Sequence, residues 1–150
     1  MCRSLMMALL VVWLAACAGG LKAEQHPQRS VSWILQQYER GDPAALERVL
    51  DMLGTTASYT PHDIGPSRDL EDARIYNIGG FGSGDMWFRL QASPCYSLEQ
   101  ARRVLKSGLA PRSERSYRYE NSRYVLFLRM STEHPDCLHQ IDFLPVALAK

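Results

Sequence analysis

Near the C-terminus, His134-Pro135-Asp136-Cys137-Leu138-His139 gathers two imidazoles, a carboxylate and a thiol, the side chains that bind transition metals. Their spacing matches no common zinc pattern. His134 reads as part of a turn and His139 as part of a strand, so no metal and no cofactor is expected. A second segment, Gly79-Gly80-Phe81-Gly82-Ser83-Gly84-Asp85, places four glycines within six residues. A loop that cradles phosphate needs a helix N-terminus behind it and a Lys-Ser/Thr pair. Here strand-like Met86-Trp87-Phe88 follows, with no lysine. Two readings stay open: a hairpin connection, or a projecting loop whose bare backbone enters a partner's cleft. In the second, Gly80, Gly82, Ser83 and Gly84 supply backbone, Phe81 an apolar anchor and Asp85 a charged contact. Asp85, Glu99 and Glu133 are the carboxylates from which glycoside cleavage would need a converging pair. Neither G-x-S-x-G nor H-E-x-x-H occurs, so no catalytic residue is assigned. Finally, Tyr117, Tyr119 and Tyr124 interleave with Arg115, Arg118 and Arg123. This is either an ordinary strand surface, where tyrosine is favoured, or a partner-binding one centred on Tyr117, Arg118 and Tyr119.

The elements that would hold these residues follow from periodicity. Val31, Ile34, Leu35 and Tyr38 form one helical stripe, opened by Ser30 and ended by Gly41. Asp42 caps a second helix with Pro43 at its first position, and Leu46, Val49, Leu50 and Leu53 give its stripe before Gly54. Residues 55–73 read as a long loop with one helical turn near Leu70. Arg74–Ile78 and Met86–Ala92 read as strands flanking the glycine-rich connection. Ser97 and Gln100 make a capping box for a third helix with Leu98, Ala101, Val104 and Leu105 on one side, ended by Gly108 and Pro111. Strands Ser116–Glu120 and Tyr124–Ser131 flank an Asn121-Ser122 turn. A turn over Thr132–Asp136 then leads to a last strand, Cys137–Leu144. The order predicts an α+β domain over residues 30–150: an N-terminal helix pair, then an antiparallel sheet with one further helix packed on it.

Charge is unevenly spread. The chain carries 17 basic and 16 acidic residues. Residues 39–85 hold nine acids against four bases, and residues 99–123 hold seven bases against three acids. Either two solvated faces complement each other, or one is a docking face for a partner. The start of the chain supplies an address. Arg3 precedes an apolar run from Leu5 to Leu14 that is too short to span a bilayer, and small residues lead into Cys17. This is the pattern of an export signal. Leu14-Ala15-Ala16-Cys17 resembles the bacterial lipoprotein lipobox. The resemblance implies removal of residues 1–16 and acylation of Cys17, with two or more buried chains giving stable anchoring. Residues 17–29 would then be a lipidated, flexible tether. Ala18 stands where an aspartate would signal inner-membrane retention, so the implied place is the periplasmic face of the outer membrane. The alternative is ordinary secretion into the periplasm, with cleavage after Ala18.

With Cys2 lost in the leader and Cys17 acylated, Cys95 and Cys137 remain in an oxidising compartment, where an even pair reads as one disulfide. Such a bridge would pin the third helix to the sheet. It would also leave Cys137 unavailable to a metal. Removing Arg3 leaves 16 bases and 16 acids, so nucleic acid is not an expected partner. Scarcity of nucleotide outside the cytoplasm argues further against a phosphate loop at Gly79–Asp85. In size, export, single bridge and absence of catalytic motif, the mature domain resembles periplasmic toxin-immunity and inhibitor lipoproteins. That resemblance implies a non-enzymatic protein that occludes a secreted cell-wall hydrolase. A structural lipoprotein of an envelope complex is the second reading, and a small periplasmic hydrolase the third.

Overall fold

The computed structural model describes residues 29–54, 67–80 and 84–149. The leader, Cys17 and the tether up to residue 28 lie outside the described residues. Helix α1 spans Val31–Glu39, and Val31, Ile34, Leu35 and Tyr38 are all buried, as the stripe requires. Ser30 caps it by accepting from the Trp33 backbone N–H. A second cap arrives from about 40 residues away. Asp72 Oδ1 accepts from Val31 N at 2.7 Å and Asp72 Oδ2 from Ser32 N at 3.1 Å, satisfying amides that an isolated helix leaves without partners. Helix α2 spans Ala45–Leu53 and ends at Gly54, whose φ of +64° is the left-handed conformation that favours glycine. It begins later than the sequence suggests. Asp42 and Pro43 form a turn before it, in which Asp42 Oδ1 accepts from Ala44 N, and the N-cap is Ala44 with no side-chain bond.

The sheet has seven strands, all antiparallel, in the order β1-β2-β3-β7-β6-β5-β4. They are β1 Arg68–Asp69, β2 Arg74–Gly79, β3 Met86–Leu90, β4 Leu109–Ser113, β5 Ser116–Glu120, β6 Tyr124–Met130 and β7 Leu138–Pro145. Helix α3, Leu98–Leu105, lies in the connection from β3 to β4, and its capping box forms as read: Ser97 N donates to Gln100 Oε1 and Gln100 N to Ser97 Oγ. The α+β architecture stands, with two strands beyond the expected set. The segment near Leu70 is the short strand β1, not a helical turn. Residues 109–113, where Pro111 marks the end of a helix, pair with β5 as the outermost strand β4. An edge strand tolerates proline because one side of its ladder needs no N–H donor.

The helices cover one face of this sheet. Tyr38 of α1 meets Tyr124 edge-on, with centroids 4.9 Å apart, and lies over Phe143 at 4.2 Å, while Phe143 touches Phe88 at 5.2 Å. Aromatic pairs in these geometries add to the burial of their area. The corner between α1 and α2 is fixed by the β5–β6 turn: Asn121 Nδ2 donates to Tyr38 O at 2.6 Å, and Tyr124 OH to Asp42 O at 2.9 Å. Cys95 and Cys137 are bonded, their Cα atoms 5.4 Å apart. The bridge joins the lead into α3 to the start of β7, beside the Leu138 N to Tyr96 O bond, and pins helix to sheet as expected. Closing a loop of this length (separation 42 residues) is worth about 4 kcal/mol in the chain-entropy model.

Candidate functional site

Strand alternation sends every second side chain away from the helices. In β3, Met86, Phe88 and Leu90 are buried in the core, which sends Trp87 and Arg89 to the other face. In β6 the outward pair is Phe127 and Arg129, and in β7 it is Gln140 and Asp142. Register places these pairs side by side: Trp87 and Phe127 both oppose Asp142, and Arg89 and Arg129 both oppose Gln140. From β5, Arg118 opposite Phe127 joins them. Arg112 joins from an irregularity in β4 between Pro111 and Ser113. The result is a groove of about 470 Å³ on the open face of the sheet, lined by aromatic rings and guanidinium groups.

A hydrogen-bonded chain holds the floor of this groove. Asp142, with its side chain 14% exposed, accepts from Arg129 Nε at 3.0 Å through one oxygen and from Gln140 Nε2 at 2.6 Å through the other. Gln140 Oε1 accepts from Arg89 Nε at 3.3 Å. Arg89 in turn stacks on the Trp87 ring, 5.4 Å from its centroid. Phe127 carries two guanidiniums, Arg112 at 4.7 Å and Arg118 at 5.9 Å. The Trp87 ring packs against β2 at Gly79, where a Cβ would sit 2.3 Å from the ring. Of the groove's arginines, Arg129 is held by Asp142, whereas Arg89 and Arg112 meet no carboxylate among the described residues. Arg118 pairs with Glu120 at 2.6 Å at the margin.

The two stretches singled out in the sequence meet at this face in part. Asp85, the last residue of the glycine-rich connection, lines the groove. Gly79, Gly80 and Gly84 are its described glycines, Gly84 with φ +89°. Phe81, Gly82 and Ser83 lie outside the described residues. Arg118 faces the groove, but Tyr117 and Tyr119 point to the helix side. Tyr119 is 7% exposed, its hydroxyl donating to Glu39 O, and burial raises its pKa. Tyr117 is half-buried under Arg102, 5.6 Å from its centroid, and Tyr124 is in the core. Strand β5 is therefore split by its own period of two, with Tyr117 and Tyr119 inward and Arg118 outward, while Arg115 and Arg123 lie in the flanking turns.

His134 and His139 border a different cleft, of about 520 Å³, at the end of β3. Register shifts in β2 and β7 leave Tyr76 and His139 as extra residues there, their rings 6.3 Å apart. Among the described residues no group of three or more His, Cys, Asp or Glu side chains could hold a metal ion. The three carboxylates do not converge: Asp85 lines the first groove, Glu133 the second cleft, and Glu99 is exposed on the first turn of α3. No helix among the described residues is long and apolar enough to cross a membrane. Comparison with protein-family models, curated proteins and solved structures finds no match.

Proposed function

We propose that this chain is a non-enzymatic binding lipoprotein of the bacterial envelope that inhibits a secreted cell-wall-degrading enzyme, and that the open face of its sheet is the working surface. One observation carries the reading. Asp85, at the root of the glycine-rich connection, lines the same groove as Trp87, Arg89, Arg112, Phe127 and Arg129. The last residue of the glycine-rich connection and the arginine-aromatic face thus share one groove. Arginine and tryptophan are enriched at the energetic centres of protein interfaces. The hydrogen bonds among Arg129, Asp142, Gln140 and Arg89 preorganise this surface, which lowers the entropy cost of binding. Acylation of Cys17 would hold the domain at the periplasmic face of the outer membrane, where such enzymes arrive.

Two experiments test the proposal. The full chain is assayed for inhibition of purified muramidases and peptidoglycan amidases acting on isolated peptidoglycan. Inhibition that disappears in the Arg89→Glu/Arg112→Glu variant, with unchanged thermal stability, supports the reading; no inhibition of any of these enzymes contradicts it. For the address, Cys17→Ser followed by membrane fractionation is expected to release the protein into the soluble periplasmic fraction. A variant that stays membrane-bound was not anchored through Cys17.

A further inference from the structure

The groove's hydrogen-bonding economy points to what fills it. Each of Arg89 and Arg129 commits its Nε to the floor, Arg89 to Gln140 and Arg129 to Asp142. Their terminal nitrogens, which make no hydrogen bond to the floor among the described residues, are the donors that remain for a ligand. Arg112 lies over the Phe127 ring, which orients its planar guanidinium while leaving its edge for hydrogen bonding, whereas Arg118 on the same ring already engages Glu120. Two carboxylates, Asp142 and Asp85, line the groove against three lining arginines, Arg89, Arg112 and Arg129, and Asp142 already has both oxygens occupied. The complementary occupant is a planar anion able to accept two parallel N–H bonds, and more than one arginine is in place to receive it.

We infer that this face grips a pair of carboxylates presented by a protein partner, so that the enzyme inhibited is one that cleaves glycan strands through paired acidic residues. The inference rests on the inhibitor reading above. Most glycoside hydrolases cleave through two Asp or Glu residues flanking the scissile bond. Arg89 and Arg112 brought against such a pair would neutralise the base or nucleophile and hold the acid ionised, removing both roles at once. A second copy of this chain is a poor occupant, because arginine would then face arginine.

The test uses the purified full chain and three probes: a hexaglutamate peptide, a hexalysine peptide and inorganic phosphate. Hexaglutamate is expected to bind and hexalysine not to. Affinity should fall with added salt and drop about tenfold or more in Arg89→Gln or Arg112→Gln, whose neutral amides cannot replace a charge-assisted bond. Unfolding midpoints of both variants should match the parent's. Absence of hexaglutamate binding, equal binding by the variants, or displacement of hexaglutamate by an equal concentration of phosphate overturns the inference. Enzyme assays with the same variants separate the two levels. Inhibition of amidases alone, or of muramidases undiminished in the Arg89→Gln/Arg112→Gln variant, leaves an inhibitor but refutes the carboxylate grip. Inhibition of no enzyme refutes the inhibitor reading and, with it, the assignment of a glycan-cleaving target.

Discussion

Gly79→Ala is a one-methyl perturbation of the groove whose effect depends on a single neighbour. The added Cβ would lie 2.3 Å from Trp87 Cζ2, 2.4 Å from Cε2 and 2.8 Å from Nε1. Ordinary contact is about 1 Å longer, so the indole must lift off β2. Overpacking of this kind costs roughly 1–3 kcal/mol. Replacing a strand glycine by alanine returns roughly 0.5–1 kcal/mol by restricting the unfolded chain. The net expectation is a loss of about 1–2 kcal/mol, with a fall in melting temperature of about 4–8 °C. In a Trp87→Ala background the obstacle is gone and only the backbone term remains. There the same Gly79→Ala change should stabilise, by about 0.5–1 kcal/mol. Urea unfolding at constant m-value of the four proteins in this cycle gives the coupling directly. Equal destabilisation in both backgrounds would refute the claim that position 79 is glycine to seat the tryptophan. The displaced ring should also weaken binding at the groove, because Arg89 loses its stacking partner.

Asp72→Ala removes the remote cap of α1 and should cost about 2 kcal/mol, with hydrogen exchange accelerated at the Val31 and Ser32 amides. Tyr38→Phe should raise stability by about 1 kcal/mol in urea unfolding, because it deletes a buried hydroxyl with no hydrogen-bond partner among the described residues, whose ionisation burial also opposes. Burial, partly offset by the Ser32 hydrogen bond, pushes the Tyr96 phenol up to about 12 from an ordinary 10.0. Its folded-state pKa is raised, so the contribution is complete below pH 10 and is lost as pH rises from there to about 12. The loss approaches about 1.4 kcal/mol per pH unit, and urea midpoints at pH 9, 10 and 11 should fall less steeply in Tyr96→Phe.

The parts of the molecule legible in its sequence are those governed by short-range rules. The stripes of α1, α2 and α3 repeat within helices of eight or nine residues, and the Ser97–Gln100 capping box spans a single turn. The Asn121 turn is equally local, its Oδ1 accepting from Arg123 N and Tyr124 N. Asp72 could not be read as a helix cap, because it reaches α1 across 40 residues. Strand β4 was hidden by Gly108 and Pro111, which end helices but are also admissible at a sheet edge. The open-face groove was half legible. Alternation through Met86-Trp87-Phe88-Arg89-Leu90 already sends Trp87 and Arg89 to one side, and Phe127 and Arg129 likewise. That β7 would lie between those strands, supplying Gln140 and Asp142, is long-range pairing that no local pattern encodes. The same alternation separates Tyr117 and Tyr119 from Arg118, which is why the aromatic-basic hairpin is not one surface.

The central claim is that the arginine-aromatic face of the sheet occludes a glycan-cleaving enzyme. Its most direct test is the rate at which a purified muramidase releases fragments from isolated peptidoglycan, measured with increasing full chain, parent against the Arg89→Glu/Arg112→Glu variant. The account predicts saturable inhibition by the parent and none by the charge-reversed variant at the same concentrations, with both proteins equally stable. Equal inhibition by the two, or by neither, would contradict it.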